Sequence, residues 1–284
     1  MANKKKKNRQ SRNTKLRRKL AYSTAYGLAG WLQYLVAQGI HGLVDESAAR
    51  FALAGIVNAC GYSAKHNSRP TNWPKNSKSR VDLAILGRTK QALKWYGATE
   101  VKWFMTTSPR NGTVEPSKGR AWDDEREKIV QDAVRLTYCQ TQGPNAHFLV
   151  LGISRGAERA LFDAAHKKDA LEERRIAFSE LFPRVVGEKK NSNKLQHTLT
   201  EKFNEALNRV PDKILEKQPF RGLTTSLMAK AKVHENAESV KAVIYVWQCN
   251  LIRGRKSNAK KRGKKNGALA PAGPAKQLKV KKGQ

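Results

Sequence analysis

The sequence predicts a helix-rich α+β protein with a small sheet of about three strands and a disordered basic tail at each end. Three observations predict it. Charge is concentrated at the termini: residues 1–20 carry ten basic side chains and no acid, and residues 253–284 carry twelve and no acid. The formal charge of the 284-residue chain is +33, so only +11 falls on residues 21–252. Between the ends, apolar residues recur mostly at helical spacing, and three stretches carry a strand pattern instead.

The elements follow in order. Residues 1–14 are too poor in apolar side chains to offset the entropy of ordering, which makes them a disordered arm; residues 253–284 form a matching tail, with a globular body over 15–252. A first helix is predicted over Lys15–Gln38 and a second over Asp45–Cys60, where Asp45 and Glu46 suit the positive end of the helix dipole. After a polar stretch, a third helix is predicted over Ser79–Tyr96, with Ser79 as cap, Asp82 three residues on, and the stripe Val81, Ile85, Ala92, Tyr96. Residues 100–107 alternate as a strand, with Val101, Trp103 and Met105 on one face and Glu100, Lys102 and Phe104 on the other. A helix over Trp122–Cys139 precedes Ala146–Ile153, whose unbroken apolar run suits a buried strand. Helical spacing then runs from Arg155 to Phe182 and again over Leu195–Leu207, and Val240–Ile252 is the last strand.

Cys60, Cys139 and Cys249 lie far apart, which argues for a reducing compartment and against a disulfide framework. Six scattered histidines give no metal-ligand spacing, and no motif asks for a cofactor. Leu20–Val44 lacks charged residues, but Gln33, Gln38, His41, its Tyr and Trp rings and four glycines make it a buried helix rather than a membrane span.

An excess of cations at both ends is tolerable beside a polyanion. The candidate nucleic-acid contacts in the arm are Lys4, Lys5, Lys6, Lys7, Arg9, Arg12, Lys15, Arg17 and Arg18. In the tail they are Arg253, Arg255, Lys256, Lys260, Lys261, Arg262, Lys264 and Lys265. The last five also suit a nuclear-import receptor. The acid-free stretch 63–80 adds Lys65, Arg69, Lys75, Lys78 and Arg80 around Trp73, a ring that either stacks a base or anchors the loop in the core. Before it, Cys60-Gly61-Tyr62-Ser63 resembles the turn of the helix-turn-helix in some transcription regulators and small terminase subunits of phages, although Pro70 falls in the would-be recognition helix.

Gly152-Ile153-Ser154-Arg155-Gly156 resembles the nucleophile elbow of α/β-hydrolases, which implies Ser154 as nucleophile with Asp212 and His234 as partners. The same turn suits a phosphate seat, with Arg155 beside backbone amides, or simply a tight strand-to-helix turn. Asp123, Asp124, Glu125 and Glu127 suggest a two-metal nuclease, or acids placed at a helix N-terminus by its dipole.

The leading expectation is a non-enzymatic, nucleocapsid-like packaging protein, with RNA slightly favoured over DNA and self-association of the body a possible accompaniment. It is expected inside a virion, nucleus, nucleolus or nucleoid and not secreted. The alternatives are a nucleic-acid-processing or replication enzyme tethered by its basic tails, and a serine hydrolase.

Overall fold

The apolar run that begins at Ala146 is buried on both faces because it lies in the middle of a sheet, with a helical layer on either side. The computed structural model describes residues 2–41, 44–75, 77, 79–88, 93–105, 120–140, 145–162, 178–186, 205–208, 210–237 and 239–252, without the side chains of 2–9, 88, 120, 121 and 123. Six strands form one mixed sheet: β1 (Ser63–Ser68), β2 (Val81–Arg88), β3 (Leu93–Phe104), β4 (Ala146–Ser154), β5 (Leu223–His234) and β6 (Val240–Leu251). Their order is β1-β2-β3-β4-β6-β5, with β3 and β4 parallel and all other neighbours antiparallel. The parallel pair needs a crossover, which α3 (Arg120–Thr137) supplies.

Alternation divides the sheet's side chains between two cores. Leu83, Ile85, Val101, Trp103, Phe148, Val150 and Val246 pack beneath α1 (Ala2–Ala37) and α2 (Glu46–Ala59). Ala98, Leu149, Leu151, Ile153, Tyr245 and Trp247 pack beneath α3, α4 (Arg155–Phe162) and residues 178–182, with α5 (Asp212–Lys217) contributing Ile214. The buried row Leu20, Thr24, Leu28, Leu32 has the i,i+4 spacing of one helix face, which is why the charge-free stretch belongs on the sheet. Gln33, the misfit in that apolar run, clamps the end of β5: Nε2 donates to the His234 carbonyl (2.7 Å) and Oε1 accepts from the His234 amide (2.8 Å). Gly27 lets Ile56 of α2 press against α1 where any Cβ would stand in its way.

Several expectations need correction. The sheet has six strands, not about three. The stretch read as a third helix is β2 and the start of β3: Val81, Leu83 and Ile85 alternate as well as showing helical spacing, and burial on both strand faces produces both patterns at once. In β5, Leu223, Thr225, Leu227, Ala229, Ala231 and Val233 are buried in alternation, with Lys230 and Lys232 diluting the apolar signal. At the N-terminus, helix α1 begins at Ala2, where a disordered arm was expected. The first 26 residues hold neither Gly nor Pro, and straight-chain Lys, Arg and Gln extend a helix nucleated by its packed half. Residues 253–284 lie outside the described residues, as does most of the helical stretch expected over 163–207.

Gly61 settles the Cys60–Ser63 turn. Its φ of +83° caps α2, its amide donates to the Asn58 carbonyl (2.9 Å), and β1 starts two residues later, where a recognition helix would have to begin.

Candidate functional site

Glu100 and Lys102 lie two apart on β3 and so share a face, and the antiparallel register that pairs Leu83 with Thr99 brings Asp82 of β2 beside Glu100. That face is covered by α3, not by solvent. Asp82 Oδ2 accepts from the Val101 amide (2.8 Å), and its carboxyl group is close enough to Glu100 to raise that residue's pKa. From α3, Arg135 reaches Glu100 Oε1 with Nη2 (2.5 Å) and Nε (3.1 Å) and touches Asp132 (2.9 Å). Asp132 in turn holds the Lys102 ammonium at 2.8 Å. From the opposite layer, Arg50 of α2 pairs with Asp82 at 3.2 Å and with Glu46 one turn earlier. Both helical layers therefore converge on one pair of carboxylates.

The cluster holds four acids (Glu46, Asp82, Glu100, Asp132) and three cations (Arg50, Lys102, Arg135), an acid excess in a chain that is otherwise strongly basic. Its electrostatics agree with that count. Glu100 is 1% exposed, and burial, reinforced by Asp132 and Asp82 against the pull of Arg135, lifts its pKa well above the usual carboxyl range. Burial also raises Glu46. The same burial works against the charge of Lys102 and Arg135, yet both are raised, because their acidic neighbours outweigh it. The raised bases report acidic neighbours, whereas the raised acids report mainly their burial.

The residues singled out in the sequence fall elsewhere. Trp73 is 4% exposed, with Nε1 directed at the Tyr138 carbonyl (3.5 Å), so it is the loop's anchor and offers no face to a base. Arg69 donates to the Lys75 carbonyl and Arg80 to those of Ser77 (2.6 Å) and Ser79 (3.1 Å), so both brace their own loop. Lys65 and Lys75 are exposed, while Lys78 lies outside the described residues. Arg12, Lys15 and Arg18 project from α1, with Arg17 half-buried beside them. The side chains of Lys4–Lys7 and Arg9, and the tail from Arg253 to Lys265, lie outside the described residues.

Ser154 does sit between a strand and a helix, but its Oγ accepts from the Ala157 amide (3.4 Å) as a helix cap. Among the described residues no hydrogen bond joins it to His234 or Asp212. Gly152 is there for packing, since the Trp103 ring occupies the space a Cβ would fill. Arg155 is engaged by Glu158, which also accepts from the Tyr245 hydroxyl, so the turn presents no free cation to a phosphate. Asp124 is exposed at the start of α3 and Glu125 pairs with Lys128 (2.5 Å), whereas Asp132 and Arg135, two turns further on, reach the sheet.

Sequence reasoning had Asp82 three residues beyond the Ser79 cap of a third helix, and Glu100 and Lys102 on the strand face opposite Val101, Trp103 and Met105. The signal that finds them is one acid inside the apolar strand run 81–86, followed by an acid and a lysine two apart on the next strand. Among the described residues no helix is long and apolar enough to cross a membrane, and no three His, Cys, Asp or Glu side chains are gathered to hold a metal by themselves. No protein-family model, no curated protein and no solved structure matches the chain.

Proposed function

We propose that this chain is a nucleic-acid-processing enzyme that hydrolyses phosphodiester bonds with a divalent cation held by Asp82 and Glu100. One observation carries the proposal: two carboxylates from neighbouring strands lie side by side in an acid-excess cluster, with a lysine two residues from one of them. The donor set fits a hard cation such as Mg²⁺, which takes one or two carboxylates and completes its shell with water and substrate phosphate. Two protein carboxylates are therefore enough. When bound, such a cation supplies a nucleophilic water at neutral pH and neutralises charge on the phosphate.

The remaining chemistry belongs to the chain. Asp82 and Glu100 would hold the cation through their carboxylate oxygens. Lys102, kept protonated by Asp132, is unsuited to accept a proton and suited to stabilise negative charge as it develops on the phosphate. Arg135 fixes Glu100. Cationic ends on both sides of this unit bring a phosphate polymer to it, a role compatible with an intracellular setting among nucleic acid.

A second proposal, binding and packaging without chemistry, is favoured by the fact that Arg50, Lys102 and Arg135 already pair with the acids. The two separate in one experiment. Full-length protein is incubated with single-stranded and duplex DNA and RNA, with Mg²⁺ or Mn²⁺ or with chelator, alongside the variants Asp82→Asn and Glu100→Gln. Metal-dependent cleavage lost in both variants supports the enzyme. Tight binding with no cleavage of any substrate, or cleavage indifferent to both substitutions, sinks it.

A further inference from the structure

We infer that the groove between the basic half of α1 and the β5–β6 hairpin seats an unpaired segment of nucleic-acid strand, with phosphates on Arg17 and Arg18 and a base against Tyr22. The inference depends on nucleic acid being the ligand and is independent of the cleavage chemistry.

The groove has a volume of about 490 Å³ and runs from Thr14, Arg17, Arg18 and Tyr22 on α1 to Gln248 and Asn250 on β6. A second hollow of about 410 Å³ continues it toward the N-terminus, sharing Thr14 and Arg18. Among the described residues no acid lines either one. Together they follow α1 from Gln10 to Tyr22, about 18 Å of helix, which is room for a few nucleotides.

Three features point to a ligand with both anionic and base-like parts. Arg17 is half-buried, its one hydrogen bond runs to Thr14 Oγ1 (3.3 Å), its Nε has no partner, and no carboxylate pairs with it among the described residues. Burial lowers its pKa, a cost that an arriving phosphate reverses. Gln248 is 3% exposed, and its Nε2 is directed at the Asn145 carbonyl (3.0 Å), the Cys249 carbonyl (3.2 Å) and Asn250 Oδ1 (3.4 Å). That arrangement fixes the amide and leaves Oε1 as an acceptor without a partner, suited to the amino or imino group of a base. Tyr22 is 44% exposed and lies nearly parallel to Tyr26 (6.0 Å, 14°), so the two rings make a platform beside the arginines. A base reaches such a platform only when it is unpaired, which selects a single strand over a duplex.

Connectivity reinforces the placement. The ten bases of residues 1–20 lie on α1 itself, and β6 ends at Leu251, one residue beyond groove-lining Asn250 and just before the twelve bases of 253–284.

The test is fluorescence anisotropy of full-length protein with a labelled 20-nucleotide single strand and the matching duplex, across a salt series. Arg17→Gln with Arg18→Gln is expected to flatten the single-strand salt slope by about 1.4, two phosphates' worth. Tyr22→Ala is expected to weaken single-strand binding by roughly 5- to 150-fold with little effect on duplex, while Tyr22→Phe retains it. Arg18→Gln alone, at an exposed position, guards against a folding artefact. Cleavage is measured on the same samples, so loss of cleavage and loss of the groove are read separately. If wild type binds but the double variant keeps its affinity and slope, or Tyr22→Ala weakens both ligands equally, the groove is not the seat. If wild type ignores every strand at low salt, this inference and the nucleic-acid reading fall together.

Discussion

Replacing Arg135 with methionine tests whether the buried acid-excess cluster on β2 and β3 depends on its guanidinium. The substitution preserves length and apolar packing but removes the guanidinium that contacts Glu100 at 2.5 and 3.1 Å and Asp132 at 2.9 Å. Glu100 is left buried with no cation of its own, a change that typically costs about 3–5 kcal/mol. For a unit of this size that lowers Tm by roughly 6–20 °C. The sign of the pH dependence follows from Glu100, whose folded pKa is already raised by burial and by its neighbours Asp132 and Asp82. Between the ordinary glutamate pKa and the raised one, the unfolded chain has lost the proton while the folded chain keeps it, so stability falls as pH rises through that window. Removing Arg135 lifts the folded value further. The gap between wild type and variant should therefore be small near pH 4 and wide at pH 8. Mg²⁺ at a hundredfold excess over its Kd should return about 2.7 kcal/mol to the variant by taking the guanidinium's place. Thermal melts at both pH values, with and without Mg²⁺, decide the matter. A variant melting within a degree or two of wild type at pH 8, or a gap equal at both pH values, would refute the reasoning.

Lys102→Met should lower the cleavage rate about 10²- to 10³-fold while leaving oligonucleotide affinity intact, checked by single-turnover cleavage beside anisotropy. Asp132→Asn should leave Lys102 to its other acidic neighbours, Glu46 and Glu100, so that more Mg²⁺ is needed for half-maximal cleavage in a metal titration. Trp73→Ala should cost about 3–5 kcal/mol in denaturant melts yet leave the strand affinity of the folded protein unchanged, because the ring is a loop anchor. Deleting residues 253–284 should reduce affinity for DNA and RNA alike and flatten the salt slope without altering any metal requirement for cleavage.

What the sequence disclosed and what it hid have a common cause. The strand at Ala146, the strand at Val240, the helix capped by Asp45 and the charge-free helix were legible because each has one environment along its length. β2 was not legible, since burial on both faces puts Val81 and Ile85 at helical spacing as well as in alternation. β5 was hidden by lysines on its outer face. The site was hidden for a more specific reason: Glu100 and Lys102 have the composition of a solvated face and the burial of a core one. Only the crossover through α3, which places Asp132 and Arg135 over β3, turns that polar face inward, and a crossover is a long-range fact that local pattern does not contain.

The sign of the local charge ties the two halves of the molecule together. A surface this basic attracts phosphate without help from an acidic pocket, and burying acids solely to stabilise the fold gains little, since a buried ion pair typically does no better than apolar packing. The arrangement makes more sense if the acids must stay near one another. Asp132 lies where it draws the ammonium of Lys102 and part of the Arg135 guanidinium onto itself. Without it, Lys102 would be left to its other acidic neighbours, Glu46 ahead of Glu100. With it, Lys102 is drawn away from the carboxylate pair of Asp82 and Glu100. On the proposed function, this cluster would take up a divalent cation while the cationic groove and ends of the same molecule would hold the phosphate chain.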